Sequence, residues 1–151
     1  MEPTMVKAVL NAMPMYQMGT FKIPKTLLKK LDTIQRKFWW GFKSNRGLNL
    51  ISWQNMCISK DLGGLAFRDL ESLNHALLAK VAWRILHQSD HLLSKLLKAK
   101  YFKNEDFLHL SGERNNSSWT WKGIELGLGI IQQHYMMEVK NGTCTRIWMD
   151  R

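Results

Sequence analysis

The side chains that most often do chemistry in proteins, namely carboxylates, histidines and cysteines, are dispersed in this sequence. The six aspartates form no pair of the kind that holds two magnesium ions; they are Asp32, Asp61, Asp69, Asp90, Asp106 and Asp150. His87 and His91 have the spacing of helical metal ligands, but a predicted helix break at Ser89 separates them and no third ligand accompanies them. Gly127-Leu128-Gly129 lacks the lysine and hydroxyl residue of a phosphate-binding loop. The sequence therefore predicts no catalytic residue, metal site, cofactor or small-molecule substrate.

The strongest chemical signal is positive charge. The chain has 22 Lys and Arg against 12 Asp and Glu, and residues 1–60 hold +8 of the net charge of +10. Such an uneven distribution indicates that a polyanion, RNA or DNA, meets the N-terminal part. The alternative is a solvated basic face that keeps a protein rich in Met and Trp soluble. For the first interpretation, the residues predicted to contact phosphates are Lys22, Lys25, Lys29, Lys30, Arg36, Lys37, Lys43 and Arg46.

A helix predicted over residues 24–40 would position most of these basic side chains. Pro24 suits its first turn, and Gly41 suits its end. The apolar positions have the spacing of one buried stripe, formed by Leu27, Leu28, Leu31, Ile34, Phe38 and Trp39. The basic side chains occupy the other face, and a basic loop after the helix adds Lys43 and Arg46. Any exposed amphipathic helix could show the same pattern.

A second helix, predicted over residues 69–87, forms the centre of the domain. Gly63 and Gly64 allow a tight turn before it, and Asp69 can cap its start. Its apolar residues fall on two sides of the helical wheel, so we expect burial on both sides. One side holds Leu70, Leu73, Leu77, Val81 and Ile85, and the other holds Ala76, Ala79, Ala82, Trp83 and Leu86.

Two polar residues, Asn74 and Arg84, fall within the main apolar stripe of this helix. A buried amide or guanidinium needs partners, because leaving it unpaired costs about 1–3 kcal/mol or more. In one interpretation Asn74 holds the Gly63-Gly64 turn in place and Arg84 pairs with a carboxylate. In the other, Arg84 binds a phosphate.

The chain is long enough for one domain with a real core. Its parts are a basic helical part, a helical core and a hairpin, at residues 1–60, 61–134 and 135–150. Gly127 and Gly129 are expected to interrupt the last helical stretch, and Asn141-Gly142 favours a type I′ hairpin turn. The predicted fold class is mainly α: a small helical domain around the buried central helix, with a short C-terminal β-hairpin.

Two further properties bound the class of protein. Cys57 and Cys144 are far apart and belong to no C-x-x-C pair, so neither a disulfide framework nor a zinc site is expected. A reducing compartment is the default. The sequence contains no run of about 18 uncharged apolar residues, so we expect no membrane-spanning helix.

Several short motifs follow one another along nearly the whole chain. They include Phe38-Trp39-Trp40-Gly41, Trp53-x-x-Met56-Cys57, Gly63-Gly64-Leu65-x-x-Arg68-Asp69-Leu70, Asn74-x-x-Leu77-Leu78-Ala79-Lys80-x-x-Trp83-Arg84, and Asn141-Gly142 before Ile147-Trp148-x-Asp150. In this order they resemble the plant LINE-type (non-LTR) retrotransposon reverse transcriptases. The chain departs from the family's pattern at Ser59, where proline is usual, and at Ala66 and Lys140, where glycine is common.

The resemblance implies the thumb and connection region of such an enzyme, between the polymerase palm and the zinc-binding and ribonuclease H-like segments. The paired aspartates of the polymerase would lie upstream of this region. We therefore expect a free-standing remnant without polymerase or ribonuclease H catalysis, which binds nucleic-acid backbones without sequence preference. The alternative is a helical protein-interaction module, or a retroelement-derived product with no nucleic-acid role. Similar short reading frames occur in plant nuclear and mitochondrial genomes, so the nucleus or mitochondrion is the expected compartment.

Overall fold

A computed structural model describes residues 9–10, 12–41, 50–110, 117–136 and 138 of the chain. Six α-helices occur in this part: α1 (Met15–Met18), α2 (Lys25–Trp39), α3 (Trp53–Cys57), α4 (Leu70–His87), α5 (Leu92–Tyr101) and α6 (Trp119–His134). Two short 3₁₀ helices, Lys60–Leu62 and Phe107–His109, lie between them. The prediction of a mainly α protein is therefore confirmed. None of the described helices combines the length and apolar character needed to cross a membrane.

The predicted C-terminal β-hairpin is wrong, since the described residues contain no strand. Helix α6 runs without a break to His134, and the Tyr135 N–H still donates to the Ile131 carbonyl over 2.7 Å. Tyr135 and Met136 then lie outside any regular element, although the prediction placed them in the first strand. The residues predicted to form the turn and the second strand lie outside the described part. Apolar residues at helical spacing extend α6 as far as the residue before the predicted strand.

Helix α4 lies at the centre and packs mainly against α6, with α1, α2 and α5 at its other contacts. Gly127 makes the α4–α6 contact possible. A Cβ at Gly127 would lie 2.5 Å from the Leu78 carbonyl oxygen and 2.8 Å from the Ala79 nitrogen, so the two backbones touch there. The prediction that Gly127 and Gly129 interrupt the helix is wrong, because the tertiary contact outweighs the low helix propensity of glycine.

The buried line of α4 differs from the predicted one. It consists of Leu70, Asn74, Leu78, Ala82 and Ile85. Leu73, Leu77 and Val81 are only partly buried at its side, and Ala76 and Trp83 are exposed. Burial on two sides is therefore right only in part. Leu70, Leu73 and Leu77 pack with Met18 and Leu28, and Ala82 and Leu86 of the other predicted side pack in the cluster around Trp121, but Ala76 and Trp83 face solvent.

The turn before α4 follows the prediction. Gly63 has a left-handed φ of +84°, and a Cβ at Gly64 would collide with the Ile58 carbonyl oxygen. Asp69 then caps the helix by accepting from the Ser72 N–H over 2.9 Å. Ala66 also has a positive φ, 51°, which a side chain disfavours and glycine tolerates.

Asn74 is paired within the fold, but not to the glycine turn as predicted. Its side-chain nitrogen donates to the carbonyls of Met18 (2.6 Å) and Phe21 (2.9 Å), and its side-chain oxygen accepts from the Ile23 N–H (3.0 Å). One buried amide thus holds the turn between α1 and α2 against α4. The sequence indicated that Asn74 needs partners, and only the fold shows which.

The remaining core is divided into clusters. The largest joins α4, α5 and α6 around Trp121, on which Tyr101 stacks with ring centroids 4.1 Å apart. Phe102 and Phe107 complete this aromatic group. Two smaller clusters hold the N-terminal helices, one around Met18, Leu28 and Leu70, and the other around Trp53, Met56 and Phe67.

Candidate nucleic-acid interface

Helix α2, Lys25–Trp39, carries most of the predicted phosphate contacts. It begins after Pro24, whose φ of −59° suits a helix start, and its end is followed by Gly41 at φ +65°. Leu28 fixes one end of the helix in the cluster of Met18 and Leu70, and Trp39 packs edge-on against Phe67 at 5.1 Å. The predicted helix over residues 24–40 is therefore confirmed to within one residue at each end.

The buried side of α2 is rotated from the prediction. Leu27 and Ile34 were predicted to be core residues, but they remain 46% and 56% exposed. Gln35 is buried instead, with 3% of its surface exposed. The spacing of apolar residues alone could not show this, because the helix faces α3 and the start of α4, which lie far along the chain.

The exposed side of α2 carries three lysines: Lys29, Lys30 and Lys37. Lys22, in the turn before the helix, is exposed as well. The acidic residue of α2, Asp32, is partly buried on the side towards α3 and Asp69. This segregation leaves an exposed surface with several positive charges on one short helix.

Two of the eight predicted residues are less available to a phosphate. Lys25 forms an ion pair with Glu71 at 2.7 Å, and the hydrogen bond to that carboxylate, together with its charge, raises the pKa of Lys25. Arg36 is partly buried, and its charge acts on the carboxyl of Asp32. Lys43 and Arg46 lie outside the described residues.

The buried side of α2 faces polar side chains, and burial changes the pKa values of two of them. Burial, and then the charge of Asp69, raise the pKa of Asp32, while the Trp53 indole and Arg36 act in the opposite direction. Burial also raises the pKa of the Cys57 thiol to about 11, with further contributions from Asp69 and Asp32. A thiol with that pKa stays protonated at neutral pH and is a poor nucleophile.

A second basic surface was missed by the sequence analysis. Lys80, Trp83, Arg84 and His87 lie one helical turn apart and are all exposed on α4. Arg84 was predicted to lie in the buried stripe, yet it forms no ion pair with any described residue. The i, i+4 spacing of Lys80 and Arg84 was a signal that could have revealed this surface from the sequence.

The histidines and acidic residues singled out in the sequence serve local structure. His91 accepts from the Leu93 N–H over 3.3 Å and so caps α5, while His87 stacks on Trp83. Asp106 lies 3.2 Å from the imidazole of His109. Within the described ranges, no three His, Cys, Asp or Glu side chains come together as a metal site would require.

Comparison with known proteins places this helical domain among plant sequences. A protein of Arabidopsis thaliana named "Uncharacterized mitochondrial protein AtMg00310" is 40% identical over 143 residues, 93% of this chain and 92% of that protein. Another, named "Putative ribonuclease H protein At1g65750", is 34% identical over 159 aligned positions, which cover 98% of this chain but 24% of that protein. No family model and no solved structure matches the chain. With this identity over nearly the full length of both proteins, the chain belongs to the family of the Arabidopsis mitochondrial protein AtMg00310.

Proposed function

We propose that this chain derives from the region of a LINE-type reverse transcriptase that follows the polymerase palm, and that it binds RNA or DNA backbones without sequence preference. The order of its motifs supports this origin. So does its similarity to a segment amounting to 24% of a longer protein whose name includes ribonuclease H. The Arabidopsis protein AtMg00310, matched over 92% of its length, consists of little more than this region.

The observation that carries the binding proposal is the exposed lysine surface of α2. Lys29, Lys30 and Lys37 project from one helix, while Asp32 lies towards the protein interior. Lysines placed in this way contact phosphates as point charges and release counterions, but they do not distinguish bases. Binding through them should therefore be similar for unrelated sequences and fall steeply with salt.

The test is fluorescence anisotropy with two labelled hairpin duplexes of unrelated sequence, titrated at several salt concentrations. Reversal of Lys29, Lys30 and Lys37 to Glu should weaken binding to both duplexes alike and make the salt slope shallower by about three units. The matched control reverses three exposed lysines of the other half, Lys95, Lys98 and Lys103, and should have a clearly smaller effect. Equal losses from both sets, or no binding at about 50 mM salt, would contradict the proposal.

We also propose that the chain has no polymerase or ribonuclease H activity of its own, since its carboxylates are dispersed. The same preparation should neither extend a primer nor degrade an RNA–DNA hybrid in magnesium or manganese. An activity that a single Asp or Glu substitution abolishes would show that this proposal is wrong.

One observation favours the alternative of a protein-interaction module. Leu27 and Ile34 lie exposed on α2, and binding to a phosphate backbone does not need them. Leu27→Ser with Ile34→Ser should leave duplex affinity within about twofold if α2 binds nucleic acid, because the lysine charges remain. A larger loss would contradict the proposal that the lysine charges alone carry duplex binding.

A further inference from the structure

The outer face of α4, defined by Lys80, Trp83, Arg84 and His87, lies opposite the line of residues that packs against α6. Trp83 keeps 48% of its surface exposed and belongs to none of the core clusters. A large indole left in water forgoes the favourable burial that its side chain could provide. The fold therefore does not account for a tryptophan at this position.

The indole of Trp83 is nevertheless held by a neighbour. His87 stacks on it with ring centroids 4.0 Å apart and an angle of 28° between the ring planes. The His87 Nδ1 lies 3.1 Å from the Trp83 carbonyl oxygen, which can only accept, so Nδ1 donates this hydrogen bond. The imidazole of His87 is thus held by the Trp83 ring and by the Trp83 carbonyl. It supports the Trp83 indole in one orientation, which is the orientation offered to a ligand.

The charge around Trp83 has one sign. Lys80 and Arg84 precede and follow it on the same face and are exposed, and neither forms an ion pair within the described part of the chain. The acidic residue of α4, Glu71, lies near the other end of the helix and is paired with Lys25. An exposed aromatic ring between two unpaired cations is complementary to a nucleobase flanked by phosphates.

We infer that the outer face of α4 binds single-stranded nucleic acid, with an unpaired base stacked on Trp83 and the neighbouring phosphates at Lys80 and Arg84. A base inside a duplex is already stacked and cannot take this position. The site is therefore separate in place and in preference from the lysine surface of α2. Lys80, Trp83 and Arg84 all belong to one motif of the sequence, and this inference gives that motif a role that packing does not.

The decisive variant is Trp83→Leu, which keeps an apolar side chain but removes the stacking surface. It should weaken binding of labelled oligo(dT) and oligo(U) by about 5- to 100-fold, since one stacked base contributes that much. Trp83→Phe should recover part of the affinity. Trp119→Leu is the matched control, because Trp119 is 68% exposed at the start of α6 and lies outside this face; it should change the affinity less than twofold.

The test also separates this inference from the proposal for α2. Trp83→Leu should leave binding of a blunt two-stranded duplex, which has no unpaired bases, unchanged, whereas reversal of the α2 lysines should weaken it. An abasic strand should bind the wild type and Trp83→Leu equally. Equal single-strand affinity for wild type and Trp83→Leu would overturn the inference, even if duplex binding through α2 is found. It would also be overturned if sedimentation showed a wild-type dimer that Trp83→Leu dissociates, because a second copy would then be the occupant.

Discussion

Two regions of the molecule, the contact between α4 and α6 and the junction of α2 and α3, differ in how their polar groups are paired. Helix α4 packs against α6 backbone to backbone at Gly127, and two polar side chains of α6 are paired: the Trp121 indole donates to Glu125, and Gln132 donates to the Leu108 carbonyl over 2.7 Å. The hydroxyl groups of Ser94 and Ser117 on this side are buried without a partner among the described residues. At the junction of α2 and α3, the side-chain oxygen of Gln35 and the indole nitrogen of Trp40 are buried without a hydrogen-bond partner in the described structure. Each such atom costs about 1–3 kcal/mol.

This difference shows where the stability of the domain lies. The α4–α6 contact is apolar and close-packed, so we expect it to contribute most to the stability of the fold. The α2–α3 junction is weaker, and it carries the exposed lysines proposed to bind phosphates. Segments that bind ligands are commonly the less stable parts of a protein, so a less stable α2–α3 junction would be compatible with the binding proposed for α2.

The largest expected effect on stability comes from removing the Asn74 side chain, which hydrogen-bonds α4 to the turn before α2. Asn74→Ala should destabilise the protein by roughly 3–5 kcal/mol, because the Met18 and Phe21 carbonyls and the Ile23 N–H lose their partner. Asn74→Asp should be no better, since it turns a carboxylate oxygen towards two carbonyls. Urea unfolding followed by circular dichroism measures both.

The control for this change is Asn55→Ala, at an exposed position of α3, which should alter the free energy of unfolding by less than about 0.5 kcal/mol. If Asn74→Ala were equally mild, the amide would not be the tie between α4 and the N-terminal turn.

A smaller loss is expected from the α4–α6 contact itself. Gly127→Ala should cost about 1–3 kcal/mol, because the added methyl group would meet the backbone of Leu78 and force the helices apart. Gly129→Ala should instead stabilise by about 0.5–1 kcal/mol, since a Cβ there meets no atom within 4 Å. Thermal unfolding of both variants shows whether each is more or less stable than the wild type. If the unfolding temperatures of both variants shifted in the same direction, the close contact at Gly127 would be refuted.

The smallest effect concerns the α2–α3 junction. Because the pKa of Asp32 is raised in the folded protein, the folded state loses stability as the pH rises through that pKa. Asp32→Asn should therefore stabilise the protein at pH 7, by less than about 1 kcal/mol after solvent screening. The gain should vanish near pH 3, where Asp32 is protonated in both states.

The pKa of Asp69 is shifted in the direction opposite to that of Asp32, so its effect on stability has the opposite pH dependence. Burial acts to raise its pKa, but the hydrogen bonds from Ser72 and from the Glu71 backbone, together with the charge of His75, outweigh burial and keep the pKa below its usual value. Its contribution is present at neutral pH and is lost as the pH falls through the folded pKa. Asp69→Ala should therefore destabilise at pH 7 and have less effect at low pH, and urea unfolding at both pH values would distinguish the two carboxylates.

The extents of α2 and α4 could be predicted from the sequence because their end signals are local: Pro24 and Gly41 for one, the glycine turn and Asp69 for the other. The side that each helix buries could not be predicted. Leu27 is exposed and Gln35 is buried because α2 faces segments distant in sequence. In the same way Gly127 resembles a helix breaker locally, and it acts as a contact point only because α4 passes beside it.

The candidate site was predicted only in part, for the same reason. Residue type and charge were enough to select the lysines of α2, but the pairing of Lys25 with Glu71 depends on tertiary structure. Arg84 was assigned to the interior because its position on the helical wheel matched an apolar stripe. The true buried line is offset from that stripe, and this offset places Arg84 and Trp83 in solvent.

The Asn74 tie also sets an order of events during synthesis. Its partner Met18 lies 56 positions earlier in the chain. At about 5–20 residues per second, a ribosome needs roughly 3–11 s to make the intervening segment. For that time the turn before α2 has been made without the amide that holds it in the folded protein, and Gly127, which fixes α4 against α6, is synthesised later still. The basic helix α2 is therefore made before the side chain that ties its first turn to α4.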